Sequence, residues 1–145
     1  FMSRGKNPYI FYFGGNNQVR SAYFYNLIGN EGWYANLEFR FPLINSASTI
    51  IGQIGPVRGI MFLDLARAKL KGYPAKFYRF TGDLLNPLKE FDALGSYGFG
   101  LEFFFLGLPI HLDFVKRIEV PDFSNPFDFD VIGKWQTKFW IGFDF

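Results

Sequence analysis

Trp33-Tyr34-Ala35-Asn36-Leu37-Glu38-Phe39-Arg40-Phe41 alternates without a break. Trp33, Ala35, Leu37, Phe39 and Phe41 fall on one side of an extended chain; Tyr34, Asn36, Glu38 and Arg40 fall on the other. Strict period two marks a strand with one apolar face, because successive side chains point to opposite faces of the pleat. The same period returns downstream. Val57, Gly59, Met61, Leu63 and Leu65 oppose Arg58, Ile60, Phe62 and Asp64. Tyr97, Phe99, Leu101, Phe103 and Phe105 oppose Gly98, Gly100, Glu102 and Phe104. Leu108, Ile110, Leu112 and Phe114 oppose Pro109, His111, Asp113 and Val115. Trp135, Thr137, Phe139, Ile141, Phe143 and Phe145 oppose Gln136, Lys138, Trp140, Gly142 and Asp144. These patterns predict strands over 33–42, 57–67, 97–105, 108–117 and 135–145. The best helical candidate, Leu63 to Gly72, is short and has no convincing cap.

Composition narrows what such strands can build. The 145 residues include 21 Phe, aromatics reach 22% and charged residues only 19%. A mean hydropathy of +0.04 is too apolar for a disordered chain. Cysteine is absent, which excludes disulfide scaffolds, thiolate metal sites and cysteine nucleophiles. A net charge of +2 gives no strong electrostatic case for nucleic acid. No run of about 18 apolar residues exists, so a transmembrane helix is excluded as well. A soluble all-β domain and a transmembrane β-barrel remain.

Alternation alone fits both, since a soluble sandwich also has one apolar face per strand. Strand length separates them. Strands of about 9–11 residues cross a tilted bilayer, whereas an ordinary globular strand has about 5–6. Tyr97, Trp135 and Phe145 are expected at strand tips, where aromatic girdles form. The connections are unequal, as in outer-membrane barrels. Phe105 to Pro109 makes a tight turn and Leu43 to Pro56 a moderate link, while Lys69 to Ser96 and Ile118 to Gly133 are long. The expected fold is therefore all-β, a transmembrane antiparallel barrel. Five strands, or six with Tyr9 to Phe13, are fewer than the roughly eight of the smallest barrels. The missing strands are expected upstream in a longer protein or from another chain. No signal peptide is visible at Phe1-Met2-Ser3-Arg4-Gly5, which fits a fragment or a processed product.

Several segments carry a family resemblance in order. They are Phe13-Gly14-Gly15-Asn16-Asn17-Gln18-Val19-Arg20-Ser21-Ala22-Tyr23, Leu37-Glu38-Phe39-Arg40-Phe41-Pro42, Phe62-Leu63-Asp64, Gly98-Phe99-Gly100-Leu101 and the aromatic end Ile141-Gly142-Phe143-Asp144-Phe145. Together, over roughly residues 9 to 145, they resemble the C-terminal half of BamA/TamA-type outer-membrane barrels, the bacterial surface antigen family. The family pattern has glycine after the loop arginine and in its F-x-D-x-G strand, where this chain has Ser21 and Ala66. The resemblance implies that residues 1–145 are the C-terminal part of such a barrel, with an arginine loop at about 5–32. It implies a place in the bacterial outer membrane and a lipid bilayer as partner, with other outer-membrane or periplasmic proteins of an assembly or translocation complex. The two departures give a membrane anchor for a periplasmic or surface domain equal weight with insertion of other proteins.

Three site expectations follow. The resemblance implies that the arginine loop folds into the lumen and that Arg20 pairs with Glu38 and Asp64. The alternation independently puts both acids on the polar face, and a buried arginine needs such partners. Phe139, Ile141, Gly142, Phe143 and Phe145 resemble the closing strand that doubles as the assembly signal. His111, Asp113 and Glu102 read as a salt-bridge network on a polar wall rather than as a metal or acid–base site. No catalytic motif is present, so no enzyme activity, cofactor or metal is expected. A soluble all-β binding domain is the alternative.

Overall fold

The computed structural model describes residues 2–3, 9–15, 18–22, 27–49, 52–70, 72, 77–80, 83–85, 88–122, 124–125 and 128–142. Among them there is no helix. The strands are β1 (Phe11–Phe13), β2 (Leu27–Gly29), β3 (Glu31–Ile44), β4 (Ala47–Thr49), β5 (Gly52–Ile54), β6 (Val57–Lys69), β7 (Phe77–Phe80), β8 (Leu88–Phe91), β9 (Ala93–Phe105), β10 (Leu108–Val120) and β11 (Asp130–Ile141). The long ones form a five-stranded sheet in the order β3-β6-β9-β10-β11. Every neighbouring pair is antiparallel. Chain order and sheet order coincide, so the sheet is a simple meander. It is open, with β3 and β11 at its edges, and no closed barrel forms among the described residues.

Hairpin geometry explains the tight link between β9 and β10. Leu106 and Gly107 have φ of 51° and 81°. Positive φ at both central residues is the primed turn whose twist matches the strands it joins. At the opposite end the β6–β9 link, residues 70–92, is long and carries β7 and β8 as a hairpin of its own, while the β10–β11 link, residues 121–129, is shorter than the expected 118–133. β4 and β5 pair likewise within the β3–β6 link.

The strands outrun their sequence expectations, for a local reason in each case. β3 passes through a register shift between Pro42 and Ile44. Pro42 is tolerated because it sits at this shift. β11 passes through another between Ile132 and Gln136, where it faces Arg117 and Val115 of β10. Each shift breaks the period of two that marked the strand. Tyr97 and Trp135 accordingly lie inside β9 and β11 rather than at their tips. Their rings meet edge to face at 5.9 Å. Tyr9 to Phe13 adds no sixth strand to the sheet; β1 pairs only with β2. The final strand, expected over 135–145, begins at Asp130 and ends at Ile141. Phe143, Asp144 and Phe145 lie outside the described residues.

The two faces differ sharply. Leu37, Phe39 and Phe139 are 69%, 65% and 64% exposed, and Met61, Leu63, Phe99, Leu101, Trp135 and Ile141 share their face. On the other face Ile60, Phe62, Ala66, Ser96, Glu102, His111, Asp113 and Val115 are buried. The apolar side is thus the exposed one, the reverse of a soluble half-covered sheet. Val19, Ala22 and Leu27 pack against Ala66, Ala68, Phe91 and Leu94 on the covered side, with Phe11, Tyr34 and Phe77 around them.

Two glycines let aromatic rings lie flat along the sheet. A side chain at Gly59 would sit 2.4 Å from the Phe41 ring on the apolar face. One at Gly98 would meet the Phe114 carbonyl oxygen at 1.9 Å and the Phe62 ring at 2.8 Å on the covered face. Ring cover of an adjacent strand glycine is a known device in strongly twisted sheets.

Candidate functional site

The site is built where residues 14–22 cross the covered face. The segment is locally tight. The backbone N–H groups of Gln18 and Val19 both donate to the Gly15 carbonyl, and Ala22 donates to that of Val19. The Gln18 side chain accepts from the Gly14 N–H at 2.7 Å. Gly14 and Gly15 have φ of 129° and 99°, a region nearly closed to other residues. Two glycines therefore let the chain double back and present Arg20 to the sheet.

Arg20 meets carboxylates from three strands. Its Nη1 donates to Asp64 Oδ1 on β6 at 3.0 Å. Its Nη2 donates to Glu38 Oε1 on β3. Its Nε lies 3.7 Å from Asp113 Oδ2 on β10. The guanidinium carbon stacks 4.1 Å above the centre of the Phe62 ring, the ring that Gly98 accommodates. A planar fork with five donors and two flat faces is suited to this surrounding; an ammonium is not. Burial works against the charge of Arg20, but Asp64, Glu38 and Asp113 outweigh it and hold its pKa above its ordinary value. The side chain is thus a permanent cation.

Asp64 is the hub. It is fully buried and accepts four hydrogen bonds. The Arg20 backbone N–H donates to Oδ2 at 3.0 Å and Ser96 Oγ to the same oxygen at 2.8 Å. Asn36 Nδ2 donates to Oδ1 at 3.0 Å, beside Arg20 Nη1. A buried carboxylate is tolerable only when its lone pairs are used in this way. Asn36 also donates to the Gln18 carbonyl. Ser21 donates its N–H to Ser96 Oγ at 3.2 Å and its hydroxyl to the Gly95 carbonyl at 2.7 Å. The residue that departs from the family pattern therefore ties the loop to β9. Ala66, the other departure, is buried beneath Val19 and Ala22.

The charges continue along the covered face as a ladder. Arg40 pairs with Glu38 at 2.6 Å and with Glu102 at 3.1 Å. Arg58 pairs with Glu102 at 3.3 Å. His111 stands opposite Glu102 in the strand register and stacks on Trp140 with ring centres 3.7 Å apart. Trp140 Nε1 donates to Asp113 Oδ2 at 3.0 Å. Among the described residues no group of His, Asp or Glu is arranged to hold a metal ion.

The structure therefore brings Arg20, Glu38 and Asp64 together. It adds Asp113, Asn36, Ser96, Ser21 and Phe62, which the sequence reading did not assign to Arg20. The shared parity of Asn36, Asp64, Phe62, Ser96 and Asp113 was the available signal. Of the proposed signal residues, Phe139 and Ile141 project from the apolar face of β11 and are exposed. Gly142 follows the strand with φ of 147° and donates its N–H to the Pro109 carbonyl at 3.1 Å. No family model matches the chain, and no curated protein or solved structure matches it either.

Proposed function

We propose that this sheet is part of the wall of an outer-membrane β-barrel of surface-antigen type, completed by further strands, with the Arg20 loop docked in its lumen. The barrel would serve outer-membrane protein assembly or translocation, or anchor a periplasmic or surface domain. One observation carries the reading: the face that is apolar is the exposed one, while a charged loop is pinned to the opposite face. Lipid satisfies the first face, and a lumen accounts for the second. The two-residue β9–β10 turn and the long β6–β9 link at the other end fit a short inner turn and a long outer loop. The apolar face of β11 belongs to the same wall, so Phe139 and Ile141 would face lipid and the strand edge would close the barrel.

The test is electrophoresis of the native protein extracted from outer membranes, with and without boiling, detected by an antibody to this segment. A folded barrel keeps its structure in cold detergent and migrates differently after boiling. Unchanged migration, or recovery of the protein without detergent as a monodisperse species, would overturn the reading in favour of a soluble all-β binding domain.

A further inference from the structure

The apolar face stops at a basic edge. On β6 the residues that continue the line Met61, Leu63, Leu65 are Arg67 and Lys69. On β10 the line Ile110, Leu112, Phe114 is continued by Lys116. All three lie at the end of the sheet that carries the long β6–β9 link. Two of them, Lys116 and Arg67, have an indole as neighbour. Lys116 Nζ lies 5.9 Å from the centre of the Trp135 ring. Arg67 pairs with Trp33 in the strand register. Around that pair is a cavity of about 410 Å³ lined by Met2, Glu31, Gly32, Trp33, Arg67 and Lys69.

Each of the two cations at the cavity has an acid beside it. Lys69 Nζ is 2.8 Å from Glu31 and Arg67 Nη2 is 3.9 Å from Asp92. Both cations remain partly open to solvent, with side chains 45% and 30% exposed. Glu31 and Asp92 are only 15% exposed, so a lipid phosphate would share the two cations with these acids rather than displace them. Tryptophan and basic side chains at the rim of an apolar band match the boundary where acyl chains end and lipid headgroups begin.

Resting on the membrane reading above, we infer that the Trp33–Arg67–Lys69 cavity binds the phosphate of an anionic lipid headgroup. The acyl chains would lie against Leu65, Leu63 and Met61. The guanidinium fork and the ammonium would hold the phosphate, with Trp33 at the level of the glycerol or sugar. Lys116 beside Trp135 offers a second phosphate contact of the same kind two strands away.

The test titrates the native protein, purified in a neutral detergent, with short-chain phosphatidylglycerol, phosphatidylcholine or inorganic phosphate, reading tryptophan fluorescence. Phosphatidylglycerol is expected to bind at least about tenfold more tightly than phosphatidylcholine. The Arg67→Gln/Lys69→Gln pair should erase that preference, at roughly fivefold per cation, and Lys116→Gln should reduce it less. Inorganic phosphate should compete only weakly, since it lacks the acyl chains. Equal binding of the two lipids, a preference unaffected by the paired substitution, or inorganic phosphate binding as tightly as the lipid would each overturn the inference. Boiling-dependent migration of the same sample keeps the two readings apart. A folded barrel without lipid preference defeats only the lipid site; a soluble protein without such migration defeats both.

Discussion

Arg20 and Asp64 set the energetics of the covered face. Removing the guanidinium by Arg20→Ala would strand buried carboxylates, and breaking a buried pair in this way costs about 3–5 kcal/mol. We expect that loss in denaturant unfolding followed by tryptophan fluorescence. Arg20→Lys should recover only part of it, because an ammonium cannot bridge Asp64 and Glu38 while lying flat on Phe62. The chain has no cysteine, so one introduced thiol reports on the loop directly. Ala22→Cys, at a buried position, should resist maleimide in the native protein and react when Arg20 is Ala. The Arg20 pKa is raised. On the alkaline side its stabilisation is therefore full below its ordinary value and is lost only as the pH rises through the arginine range, provided that its carboxylate partners are ionised. Protection of the thiol, relative to the unfolded chain, should persist from about pH 7 to 10, well below the arginine range. A loop that opened across that interval would show that something other than Arg20 holds it.

The glycines give a contrast at the same scale. A methyl at Gly98 meets backbone at 1.9 Å, whereas one at Gly100 meets the Asp113 carboxylate at 2.1 Å. Side chains yield more easily than strands. Gly98→Ala should therefore lower stability more than Gly100→Ala; the reverse order would mean that Asp113 is held more rigidly than the backbone.

For a strand, parity decides what a substitution does. Met61 lies midway along the apolar line of β6. Met61→Arg should cost about 2–4 kcal/mol of folding stability in lipid, as for a charge at the bilayer midplane. Gln136→Lys, on the opposite face of β11, should cost much less. Folding yield into vesicles measures both, and similar losses at the two sites would contradict a lipid-facing side. The same parity governed what could be read in advance. Trp33 to Phe41 alternates cleanly and its faces are plain from sequence, whereas Val57 to Leu65 has Ile60 and Phe62 on the side of Asp64 and its faces are less marked. The top of β9 was hidden because Gly95 and Ser96 carry little pattern, and the start of β11 because its register with β10 shifts between Ile132 and Gln136. β1–β2, β4–β5 and β7–β8 are three or four residues per strand, too few for a period to emerge. At the latch, parity exposed Glu38 and Asp64 as neighbours on one face. It could not say how far across the sheet Arg20 would reach, so Asp113 on β10 went unassigned to it.

At the level of the molecule, five strands leave two edges, and edges in lipid are costly. If the sheet lies in lipid as proposed, the protein should reach its stable form only with the edges of β3 and β11 paired. Cysteine substitutions on β11 and on its partner strand should form a disulfide in the folded barrel. If the same β11 thiols cross-linked only between copies, closure would come from self-association.

The loop's three carboxylate partners also say something about timing. Glu38, Asp64 and Asp113 sit on β3, β6 and β10, with β9 lying between the last two. A slip of one residue in any of these strands would turn its acid toward the opposite side. Arg20 finds its full set only after every intervening ladder has aligned. Docking of the loop is then a late event that reads the accumulated alignment of four strands at once. A chain paired out of step would leave its cation undocked and its loop open to proteolysis, distinguishable from a correctly assembled copy by that alone.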